Sequence, residues 1–190
     1  MEWEMTHQEQ KRHRLGKKML MWLYVISMLM MFAGLTSAYI VKKGETENWL
    51  TFQLPPIFLY NTIVLLVSSL TLFIAYRGYV RAQQHQLLLF LWFTLVLGIA
   101  FLTGQYLGWV ELVKQGVYFV GNPGGSFIYV FTALHGLHLI AGIIAMLVIA
   151  VRATLMRIKD ALELELLGIF WHALDFLWLY LFLFLYVNQH

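Results

Sequence analysis

Five stretches of this chain carry almost no charge and are long enough to cross a bilayer. A hydrocarbon core of about 30 Å needs roughly 20 apolar residues in a helix rising about 1.5 Å per residue. The runs at 19–41, 56–76, 87–109, 126–151 and 166–187 meet that length. Charged or turn-forming residues bound them. Lys17 and Lys18 precede the first run, and Lys42 and Lys43 follow it. Pro55 and Pro56 open the second, where a missing backbone N–H costs little. Asn122-Pro123-Gly124-Gly125 makes a turn cluster before the fourth. The pattern predicts an all-α fold, an integral membrane bundle of five transmembrane helices. They form one domain over 19–190 behind a polar N-terminal segment, 1–18. No internal repeat or low-complexity segment interrupts it. Thr36 and Ala38 would suit a signal-peptide cleavage site. The first run, however, exceeds the roughly 7–15 residues of a signal sequence and follows a long polar region, so an uncleaved anchor is expected.

Composition agrees and adds a direction. Only 12% of the 190 residues are charged and 61% are hydrophobic, where a soluble domain has about 25% charged residues. A net charge of +3 gives no footing for nucleic acid. Lys11, Arg12, Arg14, Lys17, Lys18, Arg77, Arg81, Arg152, Arg157 and Lys159 fall on one side of the spans; Lys42, Lys43 and Lys114 fall on the other. An excess of Lys and Arg marks the cytoplasmic side, so the N-terminus is expected inside and the C-terminus outside. There is no cysteine, which removes disulfides, thiolate zinc, iron–sulfur clusters, C-x-x-C-H haem attachment and thiolate-bridged copper. The loops are too short to hold a soluble catalytic domain.

Ionisable groups at mid-membrane cost several kcal/mol unless paired, so each asks for a reason. The fourth span carries His135 and His138, and the fifth carries His172 and Asp175, each pair at i and i+3 on one helical face. The span midpoints fall near residues 138 and 176, so His138 and Asp175 lie at about the same depth and are expected to form a hydrogen-bonded pair. Ala133, Gly136, Ala141 and Gly142 would let those helices approach closely. Asn61 and Gln105 are secondary polar positions. Three readings of the cluster stay open: a structural polar pair, part of a proton route or lipid head-group site, and a metal or haem site. Against the last, His7, His13, His85 and His190 lie outside the spans, and Glu111, Glu163 and Glu165 sit at span ends; no metal ligands are assigned. Arg77, Arg81 and His85 are candidate lipid-phosphate contacts on the inner side. Trp22, Trp49, Trp109 and Tyr186 lie near span ends, where an interfacial belt would place them. Trp171 and Trp178 share a face of the fifth helix.

Four segments together resemble one family. They are Ser27-Met28-Leu29-Met30-Met31-Phe32-Ala33-Gly34-Leu35 with Ala38-Tyr39; Leu54-Pro55-Pro56 with Asn61-Thr62 and Ser68-Ser69; Phe101-Leu102 with Gln105 and Trp109; and Thr132-Ala133-Leu134-His135-Gly136-Leu137-His138 with Gly142, followed by Trp171-His172, Asp175 and Trp178. In order and spacing the chain resembles subunit III of haem–copper oxidases, the cytochrome c oxidase subunit III family, in a short five-helix bacterial form. The resemblance implies an accessory subunit with no catalytic residue, haem or copper of its own. It would pack on catalytic subunit I and other oxidase subunits, which hold haem and copper, and sustain proton uptake while the complex reduces oxygen. It also implies a multi-pass protein of the bacterial cytoplasmic (inner) membrane, in an aerobic respiratory chain and in reach of a larger respiratory supercomplex, with membrane lipids bound.

Seven-helix members of the family have two further N-terminal spans that create a lipid-filled cleft. This chain starts at what resembles their third helix, so lipid is expected against partner subunits and not in a cleft of this chain alone. Two departures matter. The family commonly has glutamate where Met28 stands, and often one where Gly108 stands. Alternatives remain: an accessory subunit of a quinol oxidase or nitric oxide reductase, a small proton channel or transporter, or a haem b anchor with axial histidines on two helices.

Overall fold

The computed structural model describes residues 7–47, 49, 53–155 and 160–188; Arg157, Lys159 and His190 lie outside them. Five α-helices follow in order: α1 (His7–Glu45), α2 (Ile57–Val80), α3 (Gln84–Lys114), α4 (Pro123–Thr154) and α5 (Ala161–Asn188). All five are long and apolar enough to cross a membrane, and no strand occurs among the described residues. The fold is the all-α, multi-pass bundle that the hydropathy pattern predicts.

The helices outrun their apolar stretches, because backbone hydrogen bonding continues past the first charged residue while hydropathy does not. The extreme is α1, whose 39 residues make about 58 Å at 1.5 Å per residue, nearly twice the hydrocarbon thickness. Residues 7–18 are therefore the opening turns of that same helix. At the start of α4 the Asn122 side chain accepts the Gly124 N–H at 2.9 Å, with Pro123 at a position that needs no donor. Asp160 does the same for α5, accepting the Leu162 N–H at 3.2 Å.

Helices α2, α3, α4 and α5 close a ring, and α1 lies on the outside of α4 and α5, its backbone approaching neither α2 nor α3. The α2–α3 hairpin is the tightest contact. A Cβ on Gly104 would collide with the Asn61 amide, and one on Gly78 would lie 2.9 Å from the Leu87 nitrogen. Of the small residues expected to bring α4 and α5 together, Gly142 meets Phe170 and Trp171, Gly136 faces Leu102 of α3, and Ala141 is exposed.

The core is aromatic: Phe58, Phe101, Phe131, Trp171 and Trp178 are fully buried. The outer faces carry exposed Leu59, Ile63, Leu66 and Leu70 on α2 and the like on its neighbours, a surface solvated by lipid. Lipid tails are as apolar as leucine, so burial alone does not hold such helices together; close packing and interhelical hydrogen bonds do. Trp171 Nε1 donates to Ser68 Oγ at 3.1 Å and Trp178 Nε1 to Thr62 Oγ1 at 3.0 Å. Thr71 and Thr94 join α2 to α3 at 2.8 Å, and Thr36 and Tyr180 join α1 to α5 at 2.9 Å. At the N-terminal end of the bundle, Arg14 pairs with Asp160, Lys18 with Glu165 and Arg152 with Glu163.

Candidate functional site

The polar side chains of the spans fall into three separate places. The first lies between α2 and α5. His172 Nδ1 and Ser69 Oγ share a hydrogen bond at 2.6 Å, and the same nitrogen stands 3.7 Å from Asp175 Oδ2. Asp175 is buried, and among the described residues neither of its carboxylate oxygens has a hydrogen-bond partner. The His172 side chain is 43% exposed, so one imidazole edge faces outward at membrane depth.

The second place is the interior of the ring. His135 is fully buried, its ring 5.0 Å from Trp178 and 5.7 Å from Phe101 between centroids. Among the described residues neither ring nitrogen has a hydrogen-bond partner. Toward the start of α2 and the end of α3, Asn61 Nδ2 donates to Gln105 Oε1 and to the Phe101 carbonyl, each at 3.4 Å. Gly104 supplies the space for that amide pair.

The third place is the contact of α4 with α1. His138 Nδ1–H donates to the Leu134 carbonyl at 2.7 Å, which fixes the tautomer. Its ring lies 6.0 Å from Phe32 and 6.4 Å from Tyr24. The expected His138–Asp175 hydrogen bond is therefore not formed. Depth matching places two residues at one height but says nothing of azimuth. His138 points to α1 while Asp175 lies beside Ser69 and His172. The four residues do not make a single cluster.

Arg77, Arg81 and His85 are exposed around the α2–α3 turn; the Arg77 guanidinium lies 5.1 Å over the Phe73 ring. Trp22 and Tyr186 are exposed as an interfacial belt requires, whereas Trp109 turns inward and donates to Thr132 Oγ1 at 2.9 Å. Among the described residues no three His, Asp or Glu side chains converge as metal ligands do. Sequence reasoning did not assign Ser69, Ser68 and Thr62 as partners. The signal was present: a Ser-Ser doublet on α2 and a Trp-His doublet on an antiparallel α5.

Comparison with known proteins decides the family. The sequence profile of cytochrome c oxidase subunit III matches residues 1–189. The chain belongs to the cytochrome c oxidase subunit III family. Its subunit III relatives include the probable cytochrome c oxidase subunit 3 of Nocardia farcinica, 31% identical over 180 residues, covering 86% of this chain and 84% of the relative. The cytochrome bo(3) ubiquinol oxidase subunit 3 of Buchnera aphidicola subsp. Acyrthosiphon pisum is 29% identical over 174 residues, covering 88% and 84%. A heme-copper oxidase subunit I+III of Aeropyrum pernix is 30% identical over 177 residues, covering 85% of this chain and 21% of that longer protein. Within the subunit III family frame, Met28 is buried on the α1 face that carries Tyr24 and Phe32. Gly108 packs under Phe58, whose ring atoms would lie 3.0 Å from an added Cβ.

Proposed function

We propose that this chain is the accessory subunit III of a proton-pumping haem–copper terminal oxidase of the cytochrome c oxidase type. The observation that carries the reading is the family match across residues 1–189. In this reading the chain contributes no redox centre and no catalytic residue. It packs against catalytic subunit I, which holds haem and copper, and stabilises that subunit and its proton uptake. The naming of the Aeropyrum pernix relative as subunit I+III supports that partnership. Oxygen reduction and proton translocation belong to the complex, alone or within a larger respiratory supercomplex.

The membrane is the bacterial cytoplasmic membrane, with residues 1–18 and the α2–α3 and α4–α5 connections inside, as the distribution of Lys and Arg supports. Arg77, Arg81 and His85 then face the inner head groups, where basic side chains attract anionic lipid. His172 with Ser69 and Asn61 with Gln105 act as interhelical polar contacts, while His135, His138 and Asp175 are polar side chains set into the packing between helices. With Met28 and Gly108 at the two positions where relatives commonly carry glutamate, this chain supplies no carboxylate there for proton uptake.

A second reading, subunit III of a quinol oxidase, is favoured by the similarity to the Buchnera aphidicola protein. One experiment tests both. The chain, tagged at its C-terminus, is used to purify its complex from native membranes, and partner chains and haems are identified. Oxygen consumption is then followed with reduced cytochrome c and with quinol. Co-purification of a haem–copper subunit I is expected, and the donor that supports turnover separates the two readings. A tagged chain that emerges alone, or with nitric oxide reductase subunits, overturns the proposal. Proton flux through the isolated chain in liposomes favours a channel instead.

A further inference from the structure

Because α1 rests on α4 and α5 without reaching α2, a groove of about 650 Å³ remains between α1 and α2, floored by α5. Its walls are apolar apart from the exposed edge of His172, with Val25 and Leu29 on α1, Leu72 and Phe73 on α2, and Ile169 and Phe176 on α5. Gly168 sits in the floor, and nothing lies within 4 Å of where its Cβ would be. One end is charged. Lys18 and Glu165 pair there, and the Tyr76 hydroxyl donates to the other Glu165 oxygen at 3.3 Å. Trp22 borders the same end.

The length of the groove tells what fits it. From Lys18 to Leu29, and from Glu165 to Phe176, is eleven residues, about 16 Å of helix. That is half of a hydrocarbon core of about 30 Å, the depth of one leaflet. Beyond Phe176 the groove ends, where Thr36 bonds Tyr180 and the rings of Tyr39 and Phe184 lie 5.2 Å apart. A transmembrane helix would need a full-length groove; one acyl chain of one leaflet does not. At the mouth a cation and an anion stand side by side, both partly exposed. A zwitterionic head group presents the complementary pair, phosphate to Lys18 and ammonium to Glu165, with charge-assisted hydrogen bonds to each.

We propose that this groove is a phospholipid site built by this chain alone, holding one acyl chain of an N-terminal-side leaflet lipid with a phosphatidylethanolamine-type head group at Lys18, Glu165 and Tyr76. Partner subunits are then not needed to form it. The proposal rests on the membrane placement of the helices and not on which oxidase the chain joins.

The test uses the purified complex reconstituted in nanodiscs of equimolar phosphatidylethanolamine and phosphatidylglycerol, then extracted for native mass spectrometry. The expected result is one retained phosphatidylethanolamine per chain. Gly168→Trp fills the floor and lowers retention about tenfold, the loss that about 1.4 kcal/mol produces. Gly34→Trp, on a face of α1 outside the groove and equally open, leaves retention unchanged. Lys18→Gln with Glu165→Gln keeps a bound lipid but loses the preference between head groups. Wild-type retention by Gly168→Trp overturns the site, and should that variant not fold, unchanged head-group preference in the double variant overturns the head-group assignment. A photo-crosslinker at Phe176 that captures a partner subunit and no lipid overturns the occupant.

Discussion

Ser69 and His172 meet at 2.6 Å across the α2–α5 interface, one residue along from the Ser68–Trp171 hydrogen bond at 3.1 Å. Two adjacent residues on α2 thus grip two adjacent residues on α5, and Trp178 with Thr62 repeats the contact farther along. Interhelical hydrogen bonds in membranes contribute about 0.6 kcal/mol on average and up to about 1.7. A double-mutant cycle of Ser68→Ala and Trp171→Phe should give a coupling energy in that range, read from the thermal stability of the purified complex. A coupling near zero would remove the bond from the account of the interface.

Asp175 is buried, and among the described residues neither oxygen accepts a hydrogen bond, His172 Nδ1 standing off at 3.7 Å; a buried group without a hydrogen bond carries most of its desolvation cost. Asp175→Asn is isosteric and uncharged. It should leave the stability of the isolated chain in detergent equal or higher, measured as a melting temperature. A clear drop would reveal an interaction of the carboxylate that this geometry lacks.

Gly104→Ala should be severe, because the new methyl group runs into the Asn61 side chain. Overpacking of this kind costs about 1–3 kcal/mol. Shortening the obstacle should relieve it: the double variant Gly104→Ala with Asn61→Ala should melt above Gly104→Ala alone. Equal melting points would mean that the clash is absorbed elsewhere.

Tyr24, Met28 and Phe32 recur every four residues on one face of α1, and the His138 ring touches the first and the last. A glutamate introduced as Met28→Glu would therefore emerge beside an imidazole. An acidic side chain at the centre of a membrane helix costs about 2.5–3.5 kcal/mol when it has no partner. The cost should be well below that with His138 present and should return in full in His138→Leu, compared by melting temperature. The same loss in both backgrounds would mean that the two side chains do not meet.

The five helices were legible because hydropathy and turn residues repeat at the scale of the bilayer. Their true lengths were not, since Lys11 to Lys18 is helical and polar at once. Counting residues expects His138 and Asp175 at one height. Their directions were not, because helix rotation depends on packing choices such as Gly142 against Phe170 and Trp171 and Gly104 against Asn61. Ser69 escaped assignment for a plain reason. A serine in an apolar run is chemically unremarkable until the neighbouring helix brings an imidazole to it. Trp109 was expected at the interface and instead reaches inward to Thr132, since an indole N–H near a span end can find a hydroxyl as readily as water.

The position of α1 on the outside of α4 and α5 has a consequence for how the chain is made. Of these five helices it is the first to be synthesised, yet its helical neighbours are the last two. At roughly 5–20 residues per second, the 143 residues between Glu45 and Asn188 take on the order of 7–30 s to synthesise. Until α4 is complete α1 has none of its helical neighbours, and Thr36 and Lys18 still await Tyr180 and Glu165 on α5. The α2–α3 hairpin, closed by three residues, folds meanwhile. Assembly of this bundle therefore runs from the middle outward, and the insertion machinery must keep α1 waiting for α5.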